Sequence, residues 1–473
     1  MTDPASPGHS PTARPGAAHA AFAGWAAVVL AAGRGTRMRS TLPKVLHPVA
    51  GVPMVRLVCD ALREAGFAHV VVVVGPDARD AIADAAGPGV HVAVQGEPLG
   101  TGHAALAARE AAGRHARILV LNADLPLLSV RTLREMAVRH ADGRVPLTFL
   151  TAYLDDPTGY GRVIRRNGRV AGIVEESETD GAARGEPEVN GGLYAAEASW
   201  LWPTLAAIAP GPRGERYLTD AIARAVADGG AQSYQVQEAI EVQQVNNRGD
   251  LAKADQAMRD RIRRALMDSG VTLVDPATTY VDAGVTVAPD TTIHPGSHLI
   301  GATRVGTGCR IGPNAVLRDA VIGDRCEIGG STIEGSTLAE GVTVGPYCHV
   351  RPGSFLDRDV HLGNYAEVKA SRIGARTAIG HFSYVGDAEV GADVNIGAGT
   401  ITANYDGERK HQTRLGDGAF IGSDSVLVAP VEVGAGARTA AGSVVTRDVP
   451  PGALAVGVPA RIRSIEGGSE AGA

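Results

Sequence analysis

Aromatic residues make up only 4% of the 473-residue chain, too few for an aromatic-rich core to organise all of it. Cysteine is scarcer still. Cys59, Cys309, Cys326 and Cys348 form no CxxC pair, which excludes a disulfide scaffold and leaves four reduced, buried thiols as the expectation. There is no basic excess: the formal net charge is -6, which argues against holding a nucleic acid by bulk electrostatics. Nor does any apolar run approach the ~18 residues of a membrane span, so the sequence points to neither a membrane nor a nucleic-acid partner. Residues 1–24, rich in Pro, Ala, Ser and Gly, lack the basic and apolar regions of a signal peptide, and read as a disordered tail on a cytoplasmic protein. What is abundant is glycine. Its 61 residues are nearly twice the usual share, while 44% hydrophobic and 20% charged residues mark a globular chain long enough for at least two domains.

The two halves follow different periods. Short Val/Ile/Leu runs at residues 26–30, 70–74, 90–94 and 118–121 alternate with helix-like segments at 54–65 and 102–112. This pattern predicts buried parallel strands in a doubly wound α/β domain, with its site at the carboxyl ends of the strands. Residues 246–270 predict a helical arm with Leu251, Ala254, Met258, Ile262 and Leu266 on one face and Arg259, Asp260, Arg263 and Arg264 mostly elsewhere. Aliphatic residues then recur every six positions, as at Ile293, Leu299, Val305, Ile311 and Leu317, again from Leu338 to Val368 and from Leu415 to Val433. Neither a helix nor a single strand repeats every six residues, so the segment predicts a solenoid of short strands and turns. One-residue slips fall at Ile322, Ile373 and Val390, and a larger break at 402–414 predicts an extruded functional loop.

After the first strand comes LeuAlaAlaGlyArgGlyThrArgMet (30–38), where Gly33 and Gly35 allow backbone N–H groups to face an anion and Arg37 and Lys44 add positive charge. With ThrLeuProLysValLeu at 41–46, this string resembles the sugar-1-phosphate nucleotidyltransferases. Gln95, LeuGlyThrGlyHisAla (99–104), AspAspProThrGlyTyrGlyArg (155–162), Glu175, Asn190 and ValAsnAsn (245–247) extend the likeness to the bacterial bifunctional N-acetylglucosamine-1-phosphate uridylyltransferase/glucosamine-1-phosphate acetyltransferase family. The resemblance implies Mg2+ held by Asp124 and Asn246, with Arg37 and Lys44 catalytic in neutralising UTP and the departing pyrophosphate. It also implies a UDP-sugar site of Leu30, Ala31, Ala32, Gly33, Lys44, Gln95, Gly100, Thr101, Asn122, Ala123, Asp124, Gly161, Glu175, Asn190 and Asn246. Among these, Gln95, Gly100 and Thr101 would read uracil, and Gly161, Glu175 and Asn190 the sugar. Asn122-Ala123 and Ser177-Glu178 depart from the family's Tyr-Gly and Lys-Asp, with consequences for sugar packing and specificity.

The six-residue repeat resembles the hexapeptide acyltransferases, left-handed parallel β-helices that form homotrimers. ArgProGly (351–353), AsnTyrAlaGluValLys (364–369), GlyHisPheSerTyrValGlyAspAla (380–388) and AsnIleGlyAlaGlyThr (395–400) carry the likeness. Amine acetylation needs a base whose pKa lies near working pH, and the resemblance assigns it to His381, oriented by Glu367. It places Arg351, Lys369, Tyr384, Asn395 and Lys410 on glucosamine 1-phosphate, and Ala398, Asn404, Tyr405, Ser423 and Ala441 on acetyl-CoA. Near the C-terminus the family's basic residue before ValPro is replaced by Gly457, leaving Arg461 as the candidate substitute. The implied fold is a Rossmann-like nucleotidyltransferase domain followed by a left-handed β-helix. The implied product is UDP-N-acetylglucosamine, made through N-acetylglucosamine 1-phosphate for cell-wall polymers; the competing reading is a nucleotidyltransferase whose β-helix is structural or regulatory. The expected divisions are a tail at 1–24, a uridylyltransferase domain at 25–245, a helical linker at 246–270, an acetyltransferase domain at 271–463 and a tail at 464–473.

Overall fold

Five consecutive valines, residues 70–74, have no polar face to offer water and lie buried inside a sheet. This sheet belongs to the first of two units, Met1–Met258 and Arg259–Ala473, in a computed structural model that describes residues 22–33, 35–176, 183–211 and 214–464. Its strands are β1 (Trp25–Leu30), β2 (His69–Val74), β3 (Val90–Val94), β4 (Arg117–Asn122), β5 (Leu147–Tyr153), β6 (Arg162–Arg166), β7 (Arg169–Val174), β8 (Glu188–Glu197) and β9 (Ala231–Gln235). The order is β9-β5-β8-β4-β1-β2-β3, with the β6–β7 hairpin attached to β8. Strands β3, β2, β1 and β4 are parallel, as their apolar runs predict, but β8 runs antiparallel to both β4 and β5, so the sheet is mixed. Strand order reverses between β1 and β4. That switch point leaves a crevice above Leu30 and its register partner Asn122.

Helix α1 (Met54–Ala65) buries Met54, Val55, Val58, Cys59, Leu62 and Ala65, a one-sided spacing of three and four, and stops where Gly66 turns left-handed at φ 105°. The second predicted helix, α2 (Thr101–Ala107), is shorter than its segment, and the chain continues as turns to Arg114. The predicted arm is α3 (Arg248–Asp268), and the boundary between the units falls within it. Arg263 leaves the expected polar face: its side chain is buried and donates to the Thr279 carbonyl at 3.0 Å. Of the expected tails, residues 1–21 and 465–473 lie outside the described residues, as do Ser177 and Glu178. Phe22 is no tail residue, because it is buried and stacks on Phe67 at 4.8 Å.

The second unit is built from strands of two or three residues in its coils, stacked into three parallel sheets of 12, 10 and 9 strands; the first closes with an antiparallel pair, Ala453–Gly457 and Ala460–Ser464. Every aliphatic residue of the six-residue series named above is buried along a single core. Coils of slightly different length absorb the slips: Val305 pairs with Ile322 and Leu356 with Ile373, and all four stay buried. Glycine serves coil-to-coil approach as well as turning. A Cβ on Gly363 would fall 1.8 Å from the Gly380 carbonyl oxygen. All four cysteines are free and buried. Among the described residues no helix is long and apolar enough to cross a membrane.

Candidate active sites

At the switch point of the first unit lies a cleft of about 610 Å³, lined by Leu30, Ala31, Ala32, Gly33, Arg37, Lys44, Gln95, Gly100, Thr101, Asn122, Asp124 and Asn246. Asp124 follows β4, and its backbone carbonyl accepts from Val245 N–H at 3.1 Å, which ties the segment before α3 to the strand end. Lys44 Nζ sits 2.5 Å from Asp124 Oδ2 and donates to Asn246 Oδ1 at 3.2 Å, while Arg37 donates to the same oxygen at 2.9 Å. Two cations thus converge on two oxygen ligands. Asp124 Oδ1 is buried without a hydrogen-bond partner, an arrangement that costs energy unless something positive meets it. The paired oxygens of Asp124 and Asn246 suit a hard divalent cation that keeps most of its coordination for water and phosphate.

The glycines divide the work. Gly35 is left-handed at φ 59°, and a Cβ there would lie 2.5 Å from Lys44 Cβ, so it allows the lysine to pack close. A Cβ on Gly33 would meet no protein atom within 4 Å, so the room it leaves opens onto the cleft. Ala123 does not line the cleft. It is fully buried in the apolar cluster beneath the sheet, its N–H bonded to the Leu30 carbonyl at 3.0 Å.

Gly161, Glu175 and Asn190 form a neighbouring group rather than part of the cleft wall. Asn190 N–H donates to the Gly161 carbonyl at 2.9 Å, and a Cβ on Gly161 would lie 3.6 Å from Glu175 Oε2. Asn190 also accepts from Gly192 N–H at 3.3 Å, and a Cβ on Gly192 would come within 3.0 Å of Asn122 Nδ2, which links this group to the cleft. Sequence reasoning missed Glu215, Tyr217 and Gln244, which also line the cleft. The Arg216 backbone pairs with Leu99 and Gly102, each at 2.8 Å, and Thr101 Oγ1 accepts from Leu218 N–H at 2.9 Å. The Thr101 hydroxyl therefore holds this lining segment. Tyr160 plays a similar part for Gln244, whose N–H it accepts at 3.3 Å, and burial pushes the Tyr160 phenol upward in pKa.

In the solenoid, one corner recurs coil after coil. Phe382 N–H donates to Asn364 O, Gly399 N–H to His381 O, Asp424 N–H to Ala398 O and Gly442 N–H to Ser423 O, so Asn364, His381, Ala398 and Ser423 occupy successive rungs of one column. His381 Nδ1 contacts Asn364 Oδ1, not Glu367. An amide oxygen only accepts, so in the neutral ring Nδ1 is the donor and Nε2 the nitrogen able to take a proton. Glu367, expected to orient His381, instead pairs with Arg351 at 3.0 Å.

The adjacent face carries Arg351, Lys369 and Tyr384. Lys369 Nζ reaches both oxygens of Asp387 at 3.1 Å, and Asn404 donates to Asp387 and to the Tyr384 hydroxyl. The Lys369 ammonium pushes Lys410 below the ordinary lysine range, and Arg351 adds to that effect. Side-by-side ammonium groups are relieved by a bound dianion. Asn395 lies elsewhere: its strand pairs with Ala378 and Phe420 in the 12-stranded sheet, whereas Lys369 and Tyr384 are in the 10-stranded one. Tyr405, Ser423 and Ala441 are exposed, and so is Arg461 in the terminal hairpin.

Comparison with known proteins supplies a context for both sites. Residues 27–180 match the MobA-like NTP transferase domain. Residues 284–319 and 412–447 match the bacterial transferase hexapeptide (six repeats), and 319–358 the hexapeptide repeat of succinyl-transferase. With three stacked parallel sheets, these matches identify the solenoid as a left-handed β-helix. The chain is 46% identical to the bifunctional protein GlmU of Pelobacter propionicus, over 91% of this chain and 95% of that one. It is 46% identical to that of Heliobacterium modesticaldum, covering 91% and 94%, and 44% to that of Geobacillus thermodenitrificans, covering 91% and 95%.

Proposed function

The chain belongs to the bifunctional GlmU family, and from that premise we infer an enzyme of UDP-N-acetylglucosamine synthesis with one activity in each unit. In the β-helix, the amine of glucosamine 1-phosphate attacks the acetyl-CoA thioester: a C–N bond forms, the C–S bond breaks and His381 Nε2 takes the amine proton. Arg351, Lys369 and Lys410 neutralise the sugar phosphate, with Tyr384 and Asn395 on the sugar. Ala398, Asn404, Tyr405, Ser423 and Ala441 receive acetyl-CoA. The continuation of the His381 column through Ala398 and Ser423 supports this, since two residues assigned to the acyl donor follow the base along one column. In the α/β unit, a phosphate oxygen of N-acetylglucosamine 1-phosphate attacks the α-phosphorus of UTP and pyrophosphate leaves. The attacking group is already an anion, so these residues align and neutralise rather than abstract a proton.

Asp124 and Asn246 would hold Mg2+, which when bound neutralises triphosphate charge. Arg37 and Lys44 share that neutralisation, Gln95, Gly100 and Thr101 face the uracil, and Gly161, Glu175 and Asn190 the sugar. We further propose a homotrimer, in which Asn395 from one copy completes the sugar site of another, because within one copy it lies on a different sheet from Lys369 and Tyr384. Its co-substrates UTP and acetyl-CoA place it in the cytoplasm.

One observation carries the bifunctional reading over a structural β-helix: a scaffold has no use for the polar cluster in which Lys369 and Asn404 both meet Asp387, Asn404 also reaches the Tyr384 hydroxyl, and Lys410 faces Lys369. Separate assays of the two half-reactions test it. His381→Ala should lose about 10²- to 10⁴-fold in acetyl transfer and keep uridylyl transfer, the usual contribution of a general base; Asp124→Asn should do the reverse. If each folded variant lost both activities, the two-site assignment would be wrong.

A further inference from the structure

Most β-helix coils return after 16 to 18 residues, as Ile379 to Ile396, but Ile396 pairs with Ile421, and the additional residues form the loop at 404–412. This loop carries Lys410 against Lys369, with Arg351 adding like charge and Asp387 opposite charge. Tyr405 and Glu408 to Lys410 are exposed, so apolar burial does not hold the loop in place. Its order comes from polar contacts. Asp406 Oδ1 accepts the N–H groups of Glu408 and Arg409, each at 2.8 Å, while Oδ2 accepts from His411 Nε2 at 2.6 Å. The His411 N–H donates to the Asn404 carbonyl at 2.7 Å, and Tyr405 bridges Lys410 across the loop. The two N–H donors and the imidazole hold the Asp406 carboxyl well below the usual carboxylate range.

We propose that Asp406 and His411 are positioning residues for acetyl transfer, a clamp that holds Lys410 beside Lys369 against their mutual repulsion. The proposal rests on the reading of this face as the glucosamine 1-phosphate site. His411 touches no substrate in this scheme. It closes the loop from its C-terminal side, because its backbone bonds to Asn404 at one end of the loop while its ring reaches Asp406 near the tip.

The test is steady-state acetyl transfer by the full chain, followed by release of free CoA thiol, with glucosamine 1-phosphate varied. His411→Phe keeps a planar ring but loses the donor, and should raise KM for glucosamine 1-phosphate about tenfold with kcat within about twofold, as loss of uniform binding does. His411→Gln, which offers an amide N–H in place of Nε2–H, should restore KM to within about threefold of the parent. In a Lys410→Ala background, His411→Phe should add less than about twofold, because the clamp acts through that lysine. An unchanged KM in His411→Phe, no recovery in His411→Gln, or a full additional factor in the Lys410→Ala background would overturn the clamp. If instead the parent failed to acetylate glucosamine 1-phosphate, or Lys410→Ala left KM unchanged, the site assignment itself would fall.

Discussion

At Gly100, φ is 97°, and an added Cβ would lie 2.5 Å from the carbonyl oxygen of Arg216 and 2.8 Å from its nitrogen. Conformation and space therefore both demand glycine. The Arg216 backbone cannot move aside cheaply, because it bonds to Leu99 and Gly102 and is followed by Leu218, whose N–H the Thr101 hydroxyl accepts. These contacts fix Glu215 and Tyr217 at the cleft wall. Gly100→Ala should pay about 1–3 kcal/mol in backbone strain, relieved by shifting that segment. The expected result is a KM for UTP raised roughly ten- to a hundredfold, with acetyl transfer at the parental rate. An unaltered KM for UTP would mean that residues 215–218 do not shape the nucleotide site. The same contacts explain what sequence alone did not reveal. Leu30, Gly33 and Lys44 are legible because they lie in a recognisable string at the end of the first strand, and Asp124 through the family resemblance, whereas Glu215, Tyr217 and Gln244 reach the cleft only through pairings with distant segments.

Among elements, the β-helix was the more legible because each coil repeats one local rule, an aliphatic residue inward and a turn after it. The sheet of the first unit was less so: Glu188, Asn190, Gly191 and Gly192 keep β8 from reading as an apolar run, and nothing local declares that it runs antiparallel. Some corners were hidden too, since Asn314, Tyr347, Tyr365, Phe382 and Asp424 turn left-handed without being glycine. Conversely, some solenoid glycines are there for space alone. Gly323 has no left-handed φ, yet a Cβ would sit 2.7 Å from the Ala339 carbonyl carbon and 2.8 Å from the Glu340 nitrogen of the next coil. Gly323→Ala adds one methyl group and should still cost about 1–3 kcal/mol, the usual range for overpacking. Chemical denaturation followed by far-ultraviolet circular dichroism measures that cost; a variant unfolding at the parental midpoint would show that the coils separate freely at this turn.

At the scale of the whole molecule, each unit has its own core and its own response to acid. In the first unit His47, His69 and His140 are all pushed below their ordinary value, in each case chiefly by burial. Arg248 donates to His47 Nδ1 at 3.3 Å and also opposes its protonation. The His69 ring stacks on His91 at 4.1 Å and on His115 at 4.5 Å, so a proton on one disfavours a proton on the next. The native state thus keeps these imidazoles neutral while the unfolded chain binds protons near the ordinary 6.5. Stability from them is complete above that pH and is lost as pH falls through the lower native values. In the β-helix the shifted groups include carboxylates: Glu334, Asp393 and Asp406 are held below their ordinary range by hydrogen bonds from His349, Arg376 and the 408–411 segment. Their contribution persists until pH falls below the ordinary carboxylate range, at about 4. Calorimetry from pH 7.5 to 5 should therefore show the α/β transition moving several degrees downward while the β-helix transition holds. A common shift of both transitions over that range would place the acid-sensitive groups elsewhere.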